Sequence, residues 1–275
     1  MRFLLLTLCL SITATAAFAQ ARRPSHCLAL ASSTPGVEYV QLAAFGDPVA
    51  DFNIRIRYID HATFLLKTSG GLSAVTDYTG FLGVTDFVPT VATMNHAHET
   101  HWTSTPDPRI PHVLQGWAKD GAPADHHLDL GGMLVRNVPT NIRSRFGSGA
   151  EENGNSIFIF ESEGLCIGHL GHLHHEPSAG QYAMIGRLDV VMAAVDGGVS
   201  LELPTMMRVL KRLRSSIVIP MHWFDGASLE DFLSGMSDVF DIERVSGSTI
   251  DVSLRTLPDR PTVMLLRPSY LSAAD

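Results

Sequence analysis

Cysteine is scarce in this chain of 275 residues: three in all. That excludes a disulfide-dense scaffold and a zinc ribbon built on cysteine. Lysine is equally scarce, at Lys67, Lys119 and Lys211, and the arginines are scattered. With 20 Lys+Arg against 28 Asp+Glu, the formal net charge is -8. No clustered basic surface is available for nucleic acid or an anionic membrane, since both need concentrated positive charge. Charged residues make up only 17% against 45% hydrophobic, which excludes disorder and fits a substantial core. Long apolar runs are also missing. The longest candidate, residues 3–12, is too short to cross a bilayer.

That short run has a different meaning. It follows Met1-Arg2 and leads to Ala17-Phe18-Ala19 before Gln20. A positive start, an apolar stretch and an A-x-A site form the pattern of a cleavable secretory signal peptide. The expectation is a signal over 1–19 and a single mature domain over 20–275. The mature protein is expected to be secreted or periplasmic, with no membrane association after cleavage. Cys27 and Cys166 then meet an oxidising compartment, where they either pair or stay as two free thiols; sequence leaves both open.

Along the mature chain, a lead-in over 22–51 holds one expected strand at 37–42. Alternation over 54–58 is the period of a half-buried strand. Further strands are expected at 63–67 and 72–76, around the turn Ser69-Gly70-Gly71. Others are expected at 88–94, 133–138, 156–161 and 165–168. Gly147, Gly149 and Gly154 mark a loop. The second half alternates: helix 179–188, strand 190–194, helix 204–213, strand 216–220, helix 229–236, then closing strands around 250–254 and 262–266. Strands first, then helices alternating with strands, suggest two sheets with helices packed outside.

What the chain has in excess is histidine, 13 residues. His96, His98 and His101 fall directly behind an apolar strand. His169, His172, His174 and His175 follow another. His222 ends the buried strand at 216–220. Three strand ends that offer imidazole to one sheet edge point to one metal-centred site. Neutral imidazole nitrogens at about 2.0–2.1 Å are what a zinc-class ion needs.

These residues carry a family resemblance. Tyr58-Ile59-Asp60-His61-Ala62-Thr63-Phe64-Leu65-Leu66, Thr76-Asp77-Tyr78, His96-x-His98-x-x-His101, His169-Leu170-Gly171 and Ile217-Val218-Ile219-Pro220-Met221-His222 together resemble the metallo-β-lactamase superfamily. The nearest branch looks like the ascorbate-6-phosphate lactonase-like hydrolases. The resemblance implies an α/β fold, a four-layer αββα sandwich with a metal site at one edge. It also implies metal-activated hydrolysis of an ester, lactone, amide or phosphoester in a small-molecule substrate.

The departures are chemical. Thr100 stands where the family pattern His-x-His-x-Asp-His has its carboxylate, and His172 where it has a metal-bridging Asp. No histidine falls between His127 and His169, where the family has another ligand; the matching stretch is 139–143. One zinc-class ion is therefore expected rather than two. The expected ligands are His96, His98, His101, His172 and His222. Asp196 and His172 are the candidate catalytic groups, and Glu99 is a second candidate acid. Asp77 matches a residue that braces the metal loop. His61 is either near the site or a hydrogen-bonded core residue, and His175 ranks above His174. A non-catalytic metal- or ligand-binding protein on the same fold is the competing expectation, resting on Thr100 and His172.

Overall fold

The computed structural model describes residues 22–29, 45–95, 98–144, 149–224 and 226–275. The expected signal peptide, the strand at 37–42, Gly147 and His96 lie outside them.

Strand β1 (Ile54–Asp60) shows how the sequence builds the first sheet. Ile54, Ile56 and Tyr58 point into the space between two sheets, as the period-two alternation requires. Arg55 and Arg57 fall on the opposite face, yet both are buried. Each is neutralised there. Arg55 makes two bonds to Asp251, Nε to Oδ1 at 2.7 Å and Nη2 to Oδ2 at 2.8 Å, and Arg57 meets Asp275 at 2.8 Å. A buried guanidinium is tolerated only when so paired.

The remaining strands are β2 (Thr63–Thr68), β3 (Ser73–Val75), β4 (Val91–Met94), β5 (His112–Gln115), β6 (His127–Asp129), β7 (Leu134–Arg143), β8 (Ala150–Ser162), β9 (Leu165–His169), β10 (Val190–Ala194), β11 (Ile217–Met221), β12 (Asp241–Arg244), β13 (Thr249–Val252) and β14 (Thr262–Leu265). The helices are α1 (His26–Ala29), α2 (Ala179–Ile185), α3 (Leu203–Leu213) and α4 (Gly226–Met236). One sheet runs β13-β1-β2-β3-β4-β5 and the other β12-β14-β11-β10-β9-β8-β7-β6.

The main core lies between the sheets, with Phe64 and Leu66 of one against Phe158, Ile167 and Ile219 of the other. A second core packs the helices on the larger sheet, where α3 inserts Met206, Val209 and Leu210 and α4 inserts Phe232 and Met236. The far face of the smaller sheet is closed by Phe45, Tyr78, Leu82, Ile110 and Leu271. Phe45 precedes the first strand, Leu271 lies beyond the last, and the others come from segments between strands, so coil forms that outer layer among the described residues.

Two local expectations need correction. The loop placed around Gly149 and Gly154 is largely strand, because β8 continues from Ala150 and pairs with β7 past a register shift at Thr140/Ile142. Ile142 occupies the space that a Cβ on Gly154 would need. The short edge strands β6 and β12 carry little apolar alternation, and the sequence did not announce them. Cys27 and Cys166, left open by the sequence, form a disulfide between α1 and β9.

Strands β9, β10 and β11 are mutually parallel, joined through α2 and α3. Their C-terminal ends therefore share one edge, which is where crossover connections leave room for a site. His169 ends β9, Asp196 follows β10 and His222 follows β11. In the other sheet, β4 delivers Asn95 and the His98–His101 segment to the same edge.

Candidate metal centre

Histidines 61, 98, 101 and 222 converge, with one nitrogen from each lying within 4.8 Å of the others. Each arrives from a different local device. His61 sits in the tight turn between β1 and β2 at φ 45°, and His222 leaves β11 at φ 59°. Asp77, just beyond β3, has φ 41°. Left-handed backbone at residues other than glycine costs energy and persists only where the surroundings fix it. The surroundings do so here. The His222 amide donates to the His61 carbonyl at 3.0 Å, and the Tyr58 hydroxyl donates to the same carbonyl at 2.7 Å.

The proton positions follow from fixed partners. Asn95 Oδ1 accepts the Ser156 amide at 2.8 Å, so the Asn95 amide group points its Nδ2 at Asp77 Oδ1, 2.9 Å away. The other Asp77 oxygen accepts Nδ1–H of His101 at 2.5 Å. His101 therefore presents a bare lone pair at Nε2. That nitrogen faces His222 Nε2 at 3.1 Å. On its other side His222 has Asp196 Oδ2, 2.9 Å from Nδ1.

Neither neutral tautomer of His222 suits both neighbours. A proton on Nε2 turns the Nδ1 lone pair to the Asp196 carboxylate. A proton on Nδ1 sets two lone pairs against each other across 3.1 Å. A cation between His101 and His222 resolves the conflict. A proton making His222 an imidazolium would do so, but it gives no part to His61 Nε2, which is buried without a hydrogen-bond partner among the described residues. A divalent ion uses all the converging nitrogens. The 3.1 Å separation is also close to the roughly 3.3 Å edge of a tetrahedron of nitrogens about 2.0–2.1 Å from zinc. The residues present fit a zinc-class ion.

The titration behaviour agrees. Burial, then the neighbouring rings of His222, His101 and His98, pushes His61 down to about 3. Burial and the adjacent His222 and His98 rings hold His101 well below the ordinary imidazole value, and burial with His101 and His222 does the same to His172. Neutral imidazoles are what a metal requires. The anions stand behind them. Burial pushes Asp77 up to about 6. Burial also pushes Asp196 up, but the His222 and Ser200 side chains and the amides of Ser200 and Gly198 outweigh it and keep the carboxyl well below its usual range.

Of the expected ligands, the structure brings His98, His101, His172 and His222 together, and His96 lies outside the described residues. His172 packs nearly perpendicular to His98, His101 and His222, at ring distances of 4.7, 4.9 and 4.9 Å. It also groups with Asp196 and His222. Thr100, in place of the family's carboxylate, lies with its hydroxyl 2.8 Å from His98 Nδ1. Glu99 is exposed on the turn Glu99–His101. His61 joins the cluster itself, the first of its two expected readings. His174 Nε2 contacts His172 Nδ1 at 2.7 Å, whereas His175 is exposed, which reverses their expected order. His169 has a structural part: its Nε2–H donates to the Ala62 carbonyl at 2.8 Å and its Nδ1 accepts the Gly171 amide at 3.2 Å. Gly171 itself, at φ 60°, leaves no room for a Cβ beside Asn95 and Asn155.

Arg143 went unnoticed in the sequence, although it lies in the stretch where the family has another histidine. Its Nη2 donates to the carbonyls of Gly198 at 2.8 Å, Ser200 at 2.5 Å and Val199. It thereby clamps the loop that carries Asp196. A cleft of about 220 Å³ opens beside His61, lined by Asp60, Thr79, Phe81, Glu99 and Tyr270.

Comparison with known proteins places this arrangement. Residues 55–222 match the family described as beta-lactamase superfamily domain. A chain from Thermotoga maritima, assigned as a zinc-dependent hydrolase of the metallo-beta-lactamase superfamily, is 25% identical with a TM-score of 0.54; the alignment covers 78% of this chain and 100% of that one. The metallo-beta-lactamase fold protein YhfI from Bacillus subtilis aligns at 9% identity and a TM-score of 0.51, covering 79% and 98%. A chain from Parabacteroides distasonis assigned as a metal-dependent hydrolase aligns at 13% identity and 0.51, covering 67% and 89%. No curated protein matches. The motifs, the paired sheets, the histidine-lined edge and the match over 55–222 lead to one assignment: the chain belongs to the metallo-β-lactamase superfamily.

Proposed function

We propose that this protein is an exported hydrolase that uses one zinc-class ion to cleave an ester, lactone, amide or phosphoester in a small molecule. The observation that carries the reading is the His101–His222 contact, which only a cation satisfies, with His61 and His98 converging on it. His61, His98, His101 and His222 would hold the ion. An all-imidazole set suits zinc better than magnesium or calcium, which prefer oxygen. When bound, such an ion polarises a carbonyl or phosphoryl oxygen and lowers the pKa of water to roughly 7.

The chain's own residues do the rest. Asp77 holds His101 in the ligating tautomer and Asp196 backs His222, so two carboxylates offset a dication from behind its ligands. Asp196 stays ionised there, its Oδ2 against His222 Nδ1 and its Oδ1 accepting the Gly198 and Ser200 amides. The narrow cleft beside His61, walled by Phe81 and Tyr270, favours a small substrate with an apolar part. Export is supported by the N-terminal signal pattern and by the Cys27–Cys166 disulfide, since such bonds persist in oxidising compartments.

The test is metal analysis and turnover on the purified protein. The expected result is one equivalent of zinc, and hydrolysis of at least one member of an ester, lactone, amide and phosphoester panel. Both should be lost in His101→Ala and His222→Ala. Asp196→Asn, which removes the carboxylate behind His222, should weaken zinc binding about 10–100-fold. An ion bound without turnover on any panel member would make this a binding protein on the same fold.

A further inference from the structure

The polarity of the hydrogen bonds around His172 is set from outside the site. Arg143 ends β7 and pairs with Ala150 of β8, while its guanidinium grips the 198–200 carbonyls. Its backbone amide is thus a fixed donor, and it donates to His174 Nδ1 at 2.6 Å. A ring nitrogen that accepts from an amide carries no proton. A neutral His174 therefore carries its proton on Nε2, which lies 2.7 Å from His172 Nδ1. That bond can run only one way, from His174 to His172. His172 Nδ1 accepts, so the His172 proton is on Nε2. This nitrogen is buried and has no hydrogen-bond partner among the described residues. Its ring stands nearly perpendicular to those of His98, His101 and His222, 4.7–4.9 Å away, and one of its nitrogens lies within 4.8 Å of ligand atoms of Asp196 and His222.

We infer that His172 is not a metal ligand but a preset hydrogen-bond donor, held by the Arg143 amide and His174 with its Nε2–H aimed at the place where a substrate oxygen gathers negative charge. An N–H group cannot coordinate an ion. A buried N–H without an acceptor is costly, and such groups call for a functional explanation. An anionic oxygen arriving at the centre supplies the acceptor. A donor already oriented towards developing charge is a recognised means of stabilising a transition state. Where the family pattern has a carboxylate, this chain would thus present the opposite polarity, which suits a substrate whose reacting oxygen becomes anionic beside a single ion. His174 and Arg143 are positioning residues in this scheme.

The assignment rests on the hydrolase reading only for the oxygen it serves, and its first measurement does not need the metal. In ¹⁵N-histidine-labelled, metal-free full chain, two-bond ¹H–¹⁵N correlation should show His172 with a pyrrole-type Nε2 and a pyridine-type Nδ1, assigned by the signals missing from His172→Gln. In His174→Ala that fixed pattern should give way to a mixture of tautomers. A pyridine-type His172 Nε2 in the wild type would overturn the inference. Zinc affinity of His172→Gln should stay within about twofold of wild type, whereas a tenfold loss would identify His172 as a ligand. Inorganic phosphate, used as the probe anion on the zinc-loaded protein, should bind His172→Leu at least tenfold more weakly than wild type; equal binding would remove the donor role. A protein that takes up no zinc would defeat the hydrolase reading, while the tautomer measurement would still decide this one.

Discussion

Asp77→Asn isolates the support behind one proposed ligand. Asparagine tolerates the left-handed backbone at φ 41°, so the turn itself should survive. The hydrogen bonds cannot survive intact. Asp77 accepts from two donors, Nδ2–H of Asn95 and Nδ1–H of His101. Asn95 cannot reverse, because its Oδ1 holds the Ser156 amide. An asparagine at position 77 offers one acceptor and one amide nitrogen. If its oxygen serves Asn95, its NH₂ faces His101 and drives the proton to Nε2, which abolishes ligation. If its oxygen serves His101, two amide groups face each other in a fully buried site. Either way metal binding must reverse an unfavourable contact. Loss of an outer partner of a metal-bound histidine typically costs 10–100-fold in affinity, or about 1.4–2.7 kcal/mol. Zinc competition against a chromophoric chelator, with the exposed Asp259→Asn as control, measures it directly. A change of less than twofold in Asp77→Asn would refute the tautomer reasoning for His101.

Three further outcomes follow from the same contacts. The metal-free protein should be acid-labile: His61, His101, His169, His172 and His174 all have lowered folded values, with His61 near 3 and His174 near 4, so unfolding takes up protons below pH 6.5. Stability then falls with pH by up to about 1.4 kcal/mol per pH unit for each such histidine. Asp77, raised to about 6, opposes this with one proton taken up by the folded state between about pH 6 and 4. Denaturant melts of the apo-protein at pH 7.5 and 5.5 check the sign, and equal stability at both would contradict it. His61→Asn, which also tolerates its positive φ, should weaken zinc binding by at least the ~10–100-fold expected for an outer partner; unchanged affinity would remove His61 from the ligand set. Breaking the Cys27–Cys166 link as Cys27→Ser/Cys166→Ser should cost about 2–5 kcal/mol in a denaturant titration, because it joins positions 139 residues apart.

Much of the fold was legible because its elements carry their own periodicity. The alternation of β1 and the amphipathic pattern of α3 are local signals, and both elements lie where those signals put them. Strand β12, Asp241-Ile242-Glu243-Arg244, has one apolar residue and sits at an exposed edge, so it carries no such signal. Gly154 misleads because its meaning depends on Ile142, twelve residues away and across a strand pair.

At the site, the strand-end histidines could be read from their spacing. The part of His61 could not, since it depends on a backbone bond between residue 222 and residue 61 that only the closed sandwich creates. The apparent shortage of carboxylates has the same origin. Sequence comparison looks for acids in the positions of Thr100 and His172, in front of the ion. The structure holds its acids behind the imidazoles: Asp77, which the motif Thr76-Asp77-Tyr78 already marks as a brace of the metal loop, and Asp196, which no linear pattern relates to His222. Arg143 is invisible for a similar reason: its contacts with His174 and the 198–200 loop join three separate segments.

The most direct test of the whole account is the metal content of the purified, zinc-loaded and desalted protein beside Thr100→Asp. One zinc per chain in the wild type, with a second gained when the carboxylate is restored at position 100, is the expected result. A wild-type protein that retains no zinc would contradict the central claim that the paired imidazoles of His101 and His222 are held apart for an ion.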